Sequence, residues 1–193
     1  MNSIAIFCGS KAGNDSIFVE TAQQVGQKIA EQGKTLVYGG GCSGLMGVVA
    51  DSALQAGGKV IGVIPEVLVN RELAHPHLTE LYVVRNMHER KTKMSELADG
   101  FIALPGGAGT LEEIFEQWTW AQLGIHLKPC AFLNVMGFYD PLLSMIQATV
   151  RQGFTHSRFA DTLLISDQIE TLLTQFEQYQ PPQPKWGMNE SVA

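Results

Sequence analysis

The sequence predicts a doubly wound, three-layer α/β domain around a parallel sheet, and three observations carry that prediction. Short apolar runs alternate with helix-period segments along almost the whole chain. The runs are continuous in apolarity rather than alternating, as strands buried on both faces require. Glycine clusters follow two of them, where strand-to-helix turns belong. Composition agrees: of 193 residues 45% are hydrophobic and 17% charged, against a usual charged share of about 25%. A chain of this length builds one domain with its own core. The net charge of −6 and the apolar content exclude disorder, and the 20 glycines lack the period of three of collagen.

Taken in order, residues 4–8 are an apolar run that enters the Gly9-Ser10 turn, a first strand. Asn14, Asp15 and Ser16 offer caps to a helix whose apolar residues Phe18, Ala22, Val25 and Ile29 recur at helical spacing, and Gly33 stops it. Residues 35–38 form the second strand, followed by the Gly39–Gly44 loop and a helix over 45–55 that ends at Gly57-Gly58. A third strand spans 59–64, and a fourth, 81–84, follows a loop over 65–79. A helix over 87–98 leads to a strand at 101–104, the Pro105–Thr110 loop and a long helix over 111–123. A strand at 130–135, a helix at 141–151, a strand at 163–166 and a helix at 168–178 complete the pattern. No repeat or linker interrupts it, so residues 1–180 read as one Rossmann-like domain. The proline-rich segment 181–193 reads as a flexible tail.

Thirteen Lys+Arg against 19 Asp+Glu leave no basic stripe for nucleic acid. Cys8, Cys42 and Cys130 are odd in number and far apart, the usage of reduced thiols. The first residues lack a basic leader and no run approaches the roughly 18 apolar residues of a spanning helix. The expectation is a soluble cytoplasmic protein without a membrane partner.

In doubly wound sheets ligands bind outside the carboxyl ends of the strands. Glycine there lets a phosphate approach unpaired backbone amides, and the helix dipole favours the anion. Gly39, Gly41 and Gly44 spell G-x-G-x-x-G, but after the second strand rather than the first, so tight turns with close packing are an equal reading. Pro105-Gly-Gly-Ala-Gly-Thr110 is more specific. Thr110 offers a hydroxyl, and Glu113, three residues on, faces the same pocket; Glu112 reads first as helix-dipole compensation. Arg90 and Lys91 lie in the first turns of their helix, where the dipole disfavours cations. They suit either a solvated face or a phosphate, which arginine pairs in bidentate fashion.

Other motifs are weaker. His75-Pro-His77 lacks partners at metal-ligand spacing, and His88-Glu89 lacks the second histidine of HExxH. Cys8 and Cys42 flank the candidate loops but suit small buried positions. Nothing marks Lys34 or Lys59 as a pyridoxal phosphate lysine. Trp118 and Trp120, two apart, cannot share one face of their helix; one toward the core with one near a surface, and both in the core, are equal readings.

These parts together resemble the Lonely Guy family of phosphoribohydrolases, formerly labelled lysine decarboxylases. Residues 105–113 fit PGGxGTxxE without departure. The likeness extends to Cys8-Gly-Ser10, VYGGGCSGLMG at 37–47, VIGVIP at 60–65 and Arg71-Glu72. Met87-His-Glu-Arg-Lys91 and TWAQLGIH at 119–126 complete it, so that it spans 4 to about 155. The resemblance implies hydrolysis of the N-glycosidic bond of a nucleoside 5′-monophosphate, giving a free base such as an N6-modified adenine and ribose 5-phosphate. It implies Arg90 and Glu113 as catalytic residues. The substrate site it implies is Glu72, Lys91, Gly106, Gly107, Ala108, Gly109, Thr110, Leu111, Glu112 and Thr119, with Gly41 from the first loop. Glu66 is an accessory position, because some plant members carry lysine there. No metal or organic cofactor is required, and a homodimer with the site near its interface is expected. Two other readings are a non-catalytic nucleotide or cofactor carrier on the same fold, and an NAD(P)-dependent oxidoreductase, which needs a glycine fingerprint after the first strand that Cys8-Gly-Ser10 does not supply.

Overall fold

A computed structural model describes residues 1–69 and 74–185. The strands are β1 (Ser3–Phe7), β2 (Thr35–Tyr38), β3 (Lys59–Pro65), β4 (Glu80–Val84), β5 (Gly100–Ala103), β6 (Cys130–Leu133) and β7 (Leu164–Ser166). Among the described residues they form one seven-stranded sheet in the order β4-β3-β2-β1-β5-β6-β7, every neighbouring pair parallel. The helices are α1 (Ser16–Glu31), α2 (Gly44–Gln55), α3 (Glu66–Val69), α4 (Met87–Leu97), α5 (Ala108–Leu123), α6 (Asp140–Arg151), α7 (Ser157–Ala160) and α8 (Ile169–Gln178).

Central strands are apolar on both faces because both are covered. On one face Ile4, Ile6, Leu36, Tyr38 and Ile102 pack with α1, α2 and α8. On the other, Ala5, Phe7, Val37, Phe101 and Phe132 pack with α4, α5, α6 and α7. The α1–α2 crossing is close enough that a Cβ on Gly26 would lie 2.3 Å from the Val49 carbonyl oxygen, so only glycine fits.

The helix ends follow the capping residues. Asp15 caps α1 by accepting from the Ile17 N–H at 3.1 Å, and Asn86 caps α4 by accepting from Glu89 at 3.0 Å. Gly124, with φ +75°, closes α5. Three short elements have no signature in the pattern: α3 within the expected 65–79 loop, α7, and a 3₁₀ turn at Val135–Gly137. Each is a single turn, too short for a hydrophobic period to register. One boundary matters for the site: α5 begins at Ala108, not 111, so Gly109 and Thr110 belong to its first turn. Of the expected tail, residues 181–185 are coil, and the Lys185 N–H donates to the Gln122 carbonyl at 2.8 Å. Residues 186–193 lie outside the described residues. No helix among the described residues is long and apolar enough to cross a membrane.

Candidate active site

The strand order reverses between β1 and β5: from β1 the chain winds out to β4, and from β5 to β7. The loop after β1 leads to α1 on one face and the loop after β5 to α5 on the other. A crevice opens where such loops diverge, and it is where these folds hold ligands. Hydrogen bonds tie its walls together. Gly9 N–H donates to the Pro105 carbonyl at 3.1 Å, Leu45 N–H to the Gly9 carbonyl at 3.0 Å, and the Tyr139 hydroxyl to the Leu104 carbonyl at 2.6 Å.

Gly107 is the N-cap of α5, and no side chain caps that end. The first amides of a helix have no partner within it and carry the positive end of its dipole. A Cβ on Gly107 or Gly109 would have nothing within 4 Å, so no other part of the chain crowds these two residues. Gly106 differs: Thr110 Oγ1 occupies the place of its Cβ, which packs the buried threonine against the loop.

Beneath this end lie two buried charges. Glu113 sits on α5 one turn below Thr110, and Arg90 on α4, with Arg90 Nη2 3.8 Å from Glu113 Oε1. At that distance they are charge partners rather than a closed hydrogen-bonded fork. Arg90 Nη2 also donates to the Gly39 carbonyl at 3.3 Å, and its Nε is buried without a hydrogen-bond partner. Cys8, buried at the end of the β1 run, feels both charges. Burial pushes its thiol up, Glu113 pushes it further and Arg90 opposes, which leaves a neutral thiol.

The remaining expected residues spread around this floor. The Lys91 ammonium is held by Glu112 and by Glu116, at 2.9 Å from Glu116 Oε1. Burial alone would lower its pKa, but the two carboxylates outweigh it and the pKa is raised. Glu112 thus meets a lysine from α4 as well as the helix dipole. Leu111 is half-buried against the core, whereas Ala108 is exposed at the helix start. Thr119 lies on the exposed side of α5, its hydroxyl donating to the Phe115 carbonyl at 2.7 Å. Glu66 opens α3 and is exposed. Glu72 lies outside the described residues. Trp118 is buried and donates Nε1–H to the Phe159 carbonyl, while Trp120 is half-buried.

The first glycine loop is filled by the protein itself. A Cβ on Gly39 would lie 1.9 Å from Arg90 Nη2, one on Gly44 2.4 Å from Lys11 N, and one on Gly47 2.2 Å from the Cys42 carbonyl oxygen. Gly41 is buried and bridges Ala74 in antiparallel fashion. The close-packing reading therefore describes these glycines, and the loop's contribution to the site is the Gly39 carbonyl that holds Arg90. Sequence reasoning missed that carbonyl, because main-chain acceptors leave no trace in residue identity. It also missed Glu116, although its i,i+4 spacing from Glu112 places both on one helix face. A cavity of about 370 Å³ opens between the loop after β1 and Gly106-Gly107, walled by Phe18, Leu45 and Phe138. Among the described residues no group of three His, Cys, Asp or Glu side chains is placed to hold a metal ion.

Fold and floor define a class: a Rossmann-like α/β protein with an anion-receptive helix N-terminus above a buried arginine–glutamate pair. A family profile described as possible lysine decarboxylase matches residues 46–176. A rice protein (Oryza sativa subsp. japonica) named probable cytokinin riboside 5′-monophosphate phosphoribohydrolase LOGL1 is 44% identical, over 97% of this chain and 86% of its own. An Arabidopsis thaliana protein, cytokinin riboside 5′-monophosphate phosphoribohydrolase LOG7, is 44% identical over 92% of this chain and 82% of its own. The chain belongs to this family, the Lonely Guy phosphoribohydrolases. Among solved structures, the molybdenum cofactor carrier protein of Chlamydomonas reinhardtii superposes with a TM-score of 0.69 at 19% identity, covering 92% of this chain and 96% of that one. The structural-genomics target TM1055 reaches 0.71 at 21% identity, covering 93% and 100%. At these identities the likeness is one of fold.

Proposed function

We propose that the protein is an N-glycosidase that hydrolyses a nucleoside 5′-monophosphate, with N6-modified adenosine monophosphates and AMP as the substrate class. It releases the free base and ribose 5-phosphate. The observation that carries this reading is the buried Arg90–Glu113 pair directly below the uncapped start of α5. A carrier needs the anion site alone. Holding two charges out of water is costly, and a site that stabilises a developing cation gives that cost a use.

In the proposed reaction the amides of residues 106–110 hold the phosphate, and binding there is available to lower the barrier at the sugar. As the bond from C1′ to the base nitrogen breaks, its electron pair leaves with the base and positive charge builds on the sugar, as in glycoside hydrolysis. The Glu113 carboxylate stabilises that charge and accepts a proton from the water that attacks C1′. The base nitrogen takes up a proton from solvent as it departs, and Glu113 returns the proton of the attacking water to solvent, so that one water is consumed for each bond cleaved. Arg90 either orients Glu113 and the phosphate or assists the leaving base. Lys91, with Glu112 and Glu116, fixes the first turns of α5 at the border of the site, and the family resemblance adds Gly41 and Glu72 to the substrate-binding residues.

The reading places this chemistry in one cytoplasmic domain over 1–180, without cofactor, nucleic acid or membrane partner. A homodimer with the site near its interface brings the exposed Thr119 surface of α5 into use, and light scattering on the purified protein tests the stoichiometry. Incubation with AMP and with N6-isopentenyladenosine monophosphate tests the activity. Free base and ribose 5-phosphate in equal amounts support it. Nucleotide binding without base release, alike in wild type and Glu113→Ala, would favour a carrier instead.

A further inference from the structure

The His75-Pro-His77 motif stands outside the catalytic floor, yet its first histidine is almost wholly buried, at 5% exposure. His75 Nε2 lies 3.0 Å from Asp51 Oδ1 on α2, and His75 Nδ1 accepts the His77 N–H at 3.2 Å. With Nδ1 accepting, the ring proton belongs on Nε2 and is donated to Asp51. The same residue reaches the first glycine loop through its backbone. His75 N–H donates to the Gly40 carbonyl at 2.9 Å, and the preceding Ala74 bridges Gly41.

That attachment bears on Arg90. Gly39, Gly40 and Gly41 are consecutive, and Gly40 has φ +78°. A glycine run has the greatest conformational freedom of any sequence, so its peptide planes take their direction from outside contacts. The peptide next to the one His75 holds carries the Gly39 carbonyl, which accepts from Arg90 Nη2 at 3.3 Å. Otherwise the guanidinium has a weak contact to Met87 Sδ at 3.7 Å and the charge of Glu113 at 3.8 Å. We propose that His75, buttressed by Asp51, is a positioning residue for Arg90, acting through the backbone of residues 39–41. This rests on the catalytic reading of Arg90. It gives the histidine motif a role without a metal, and it makes Asp51, on α2, part of the support of the site.

Steady-state kinetics with AMP on the full chain tests it. The Asp51 side chain is 59% exposed, so Asp51→Ala removes the buttress without opening the core. Asp51→Ala and His75→Phe are expected to lower kcat about tenfold, the scale on which small misplacements of a catalytic group act, with KM changed less than about threefold. Asp51→Asn, which keeps the acceptor oxygen, is expected to restore kcat. Asp51→Ala/His75→Phe is expected to be no worse than His75→Phe, because the two act in series. A second readout needs no substrate: the Nε–H NMR resonance of Arg90, identified by its loss in Arg90→Lys, should shift in Asp51→Ala. An unchanged kcat with an unmoved resonance in folded Asp51→Ala overturns the proposal, as does an effect confined to KM or an Asp51→Asn as impaired as Asp51→Ala. If His75→Phe does not fold, Asp51→Ala and Asp51→Asn decide the matter. If the wild type releases no base, the catalytic reading fails, and the resonance still reports whether Asp51 and Arg90 are coupled.

Discussion

The two glycine-rich loops have similar composition and sit over neighbouring parts of one sheet, yet they use glycine for opposite purposes. In the loop over 39–44 the missing side chains make room for the protein: the Arg90 guanidinium occupies the Cβ position of Gly39, and the Lys11 backbone that of Gly44. At the start of α5 the space above Gly107 and Gly109 is open. One loop is packed around a charged side chain; the other is left bare. A glycine therefore becomes evidence for a ligand site only when the volume its Cβ would take is known to be unfilled.

The largest expected effect lies beneath both loops. Glu113→Gln keeps size and hydrogen-bonding capacity but removes the charge, and base release is expected to fall on the order of 10³-fold, within the usual range for acid–base groups. Phosphate affinity should stay near the wild-type value, because the loop amides are untouched. Loss of phosphate binding in parallel with turnover would show that the carboxylate shapes the loop rather than the reaction.

Next is the packed loop. Gly39→Ala would bring a methyl to within 1.9 Å of Arg90 Nη2, so the guanidinium must leave its place. Turnover is expected to drop about 10²-fold, as for other ångström-scale displacements of catalytic groups. The folded yield should hold, since Gly39 has no positive φ to protect. Turnover near the wild-type level would mean that Arg90 has room to swing aside and still act.

Much of this contrast was legible in the sequence, but not all. The doubly wound sheet follows from continuous apolar runs between helical segments, and the place of Glu113 from its spacing after Thr110. The pattern alone starts α5 three residues late, because Gly109 and Thr110 look like loop. The division of labour between the loops was not legible. It depends on Arg90 crossing from α4 to the Gly39 carbonyl and on His75 gripping Gly40, contacts between residues 51 and 35 positions apart. Lys91 shows the same limit: its position suits either a solvated face or a phosphate, whereas its ammonium meets Glu112 and Glu116, a pairing fixed only by the docking of α4 on α5.

A smaller effect separates the two ends of α5, one bare and the other locked. Past the Gly124 cap, His126 packs on Phe101 with ring centroids 5.3 Å apart. Burial, and then the charge of Lys128, push its imidazole down to about 4, against a weaker opposing bond to the Gln117 backbone. An unfolded chain binds this proton near pH 6.5 and the folded one only near 4, so stability falls as pH drops through that window and is unaffected above it. The shift corresponds to about 3 kcal/mol at 1.36 kcal/mol per pH unit, and partial exposure reduces it to roughly 1–2 kcal/mol. Urea midpoints for wild type and His126→Phe should therefore differ in slope between pH 6.5 and 4 and run parallel above. Parallel curves throughout would mean that the locked end opens to water as readily as the bare one.

The smallest expected effect on folding is the sharpest test of the contrast. Gly107→Ala adds the same methyl as Gly39→Ala, but into open space, and at φ −93° any residue is allowed. Stability should change by no more than about 0.5 kcal/mol, and the loss of unfolded-chain freedom favours a slight gain. The methyl stands where a phosphate would approach the helix amides, so KM for AMP should rise several-fold while kcat falls less. Adenosine, which lacks the phosphate, should bind the variant and the wild type equally. An alanine here that leaves KM for AMP unchanged would place the phosphate elsewhere, and the open volume above α5 would then be a packing gap with no part in binding.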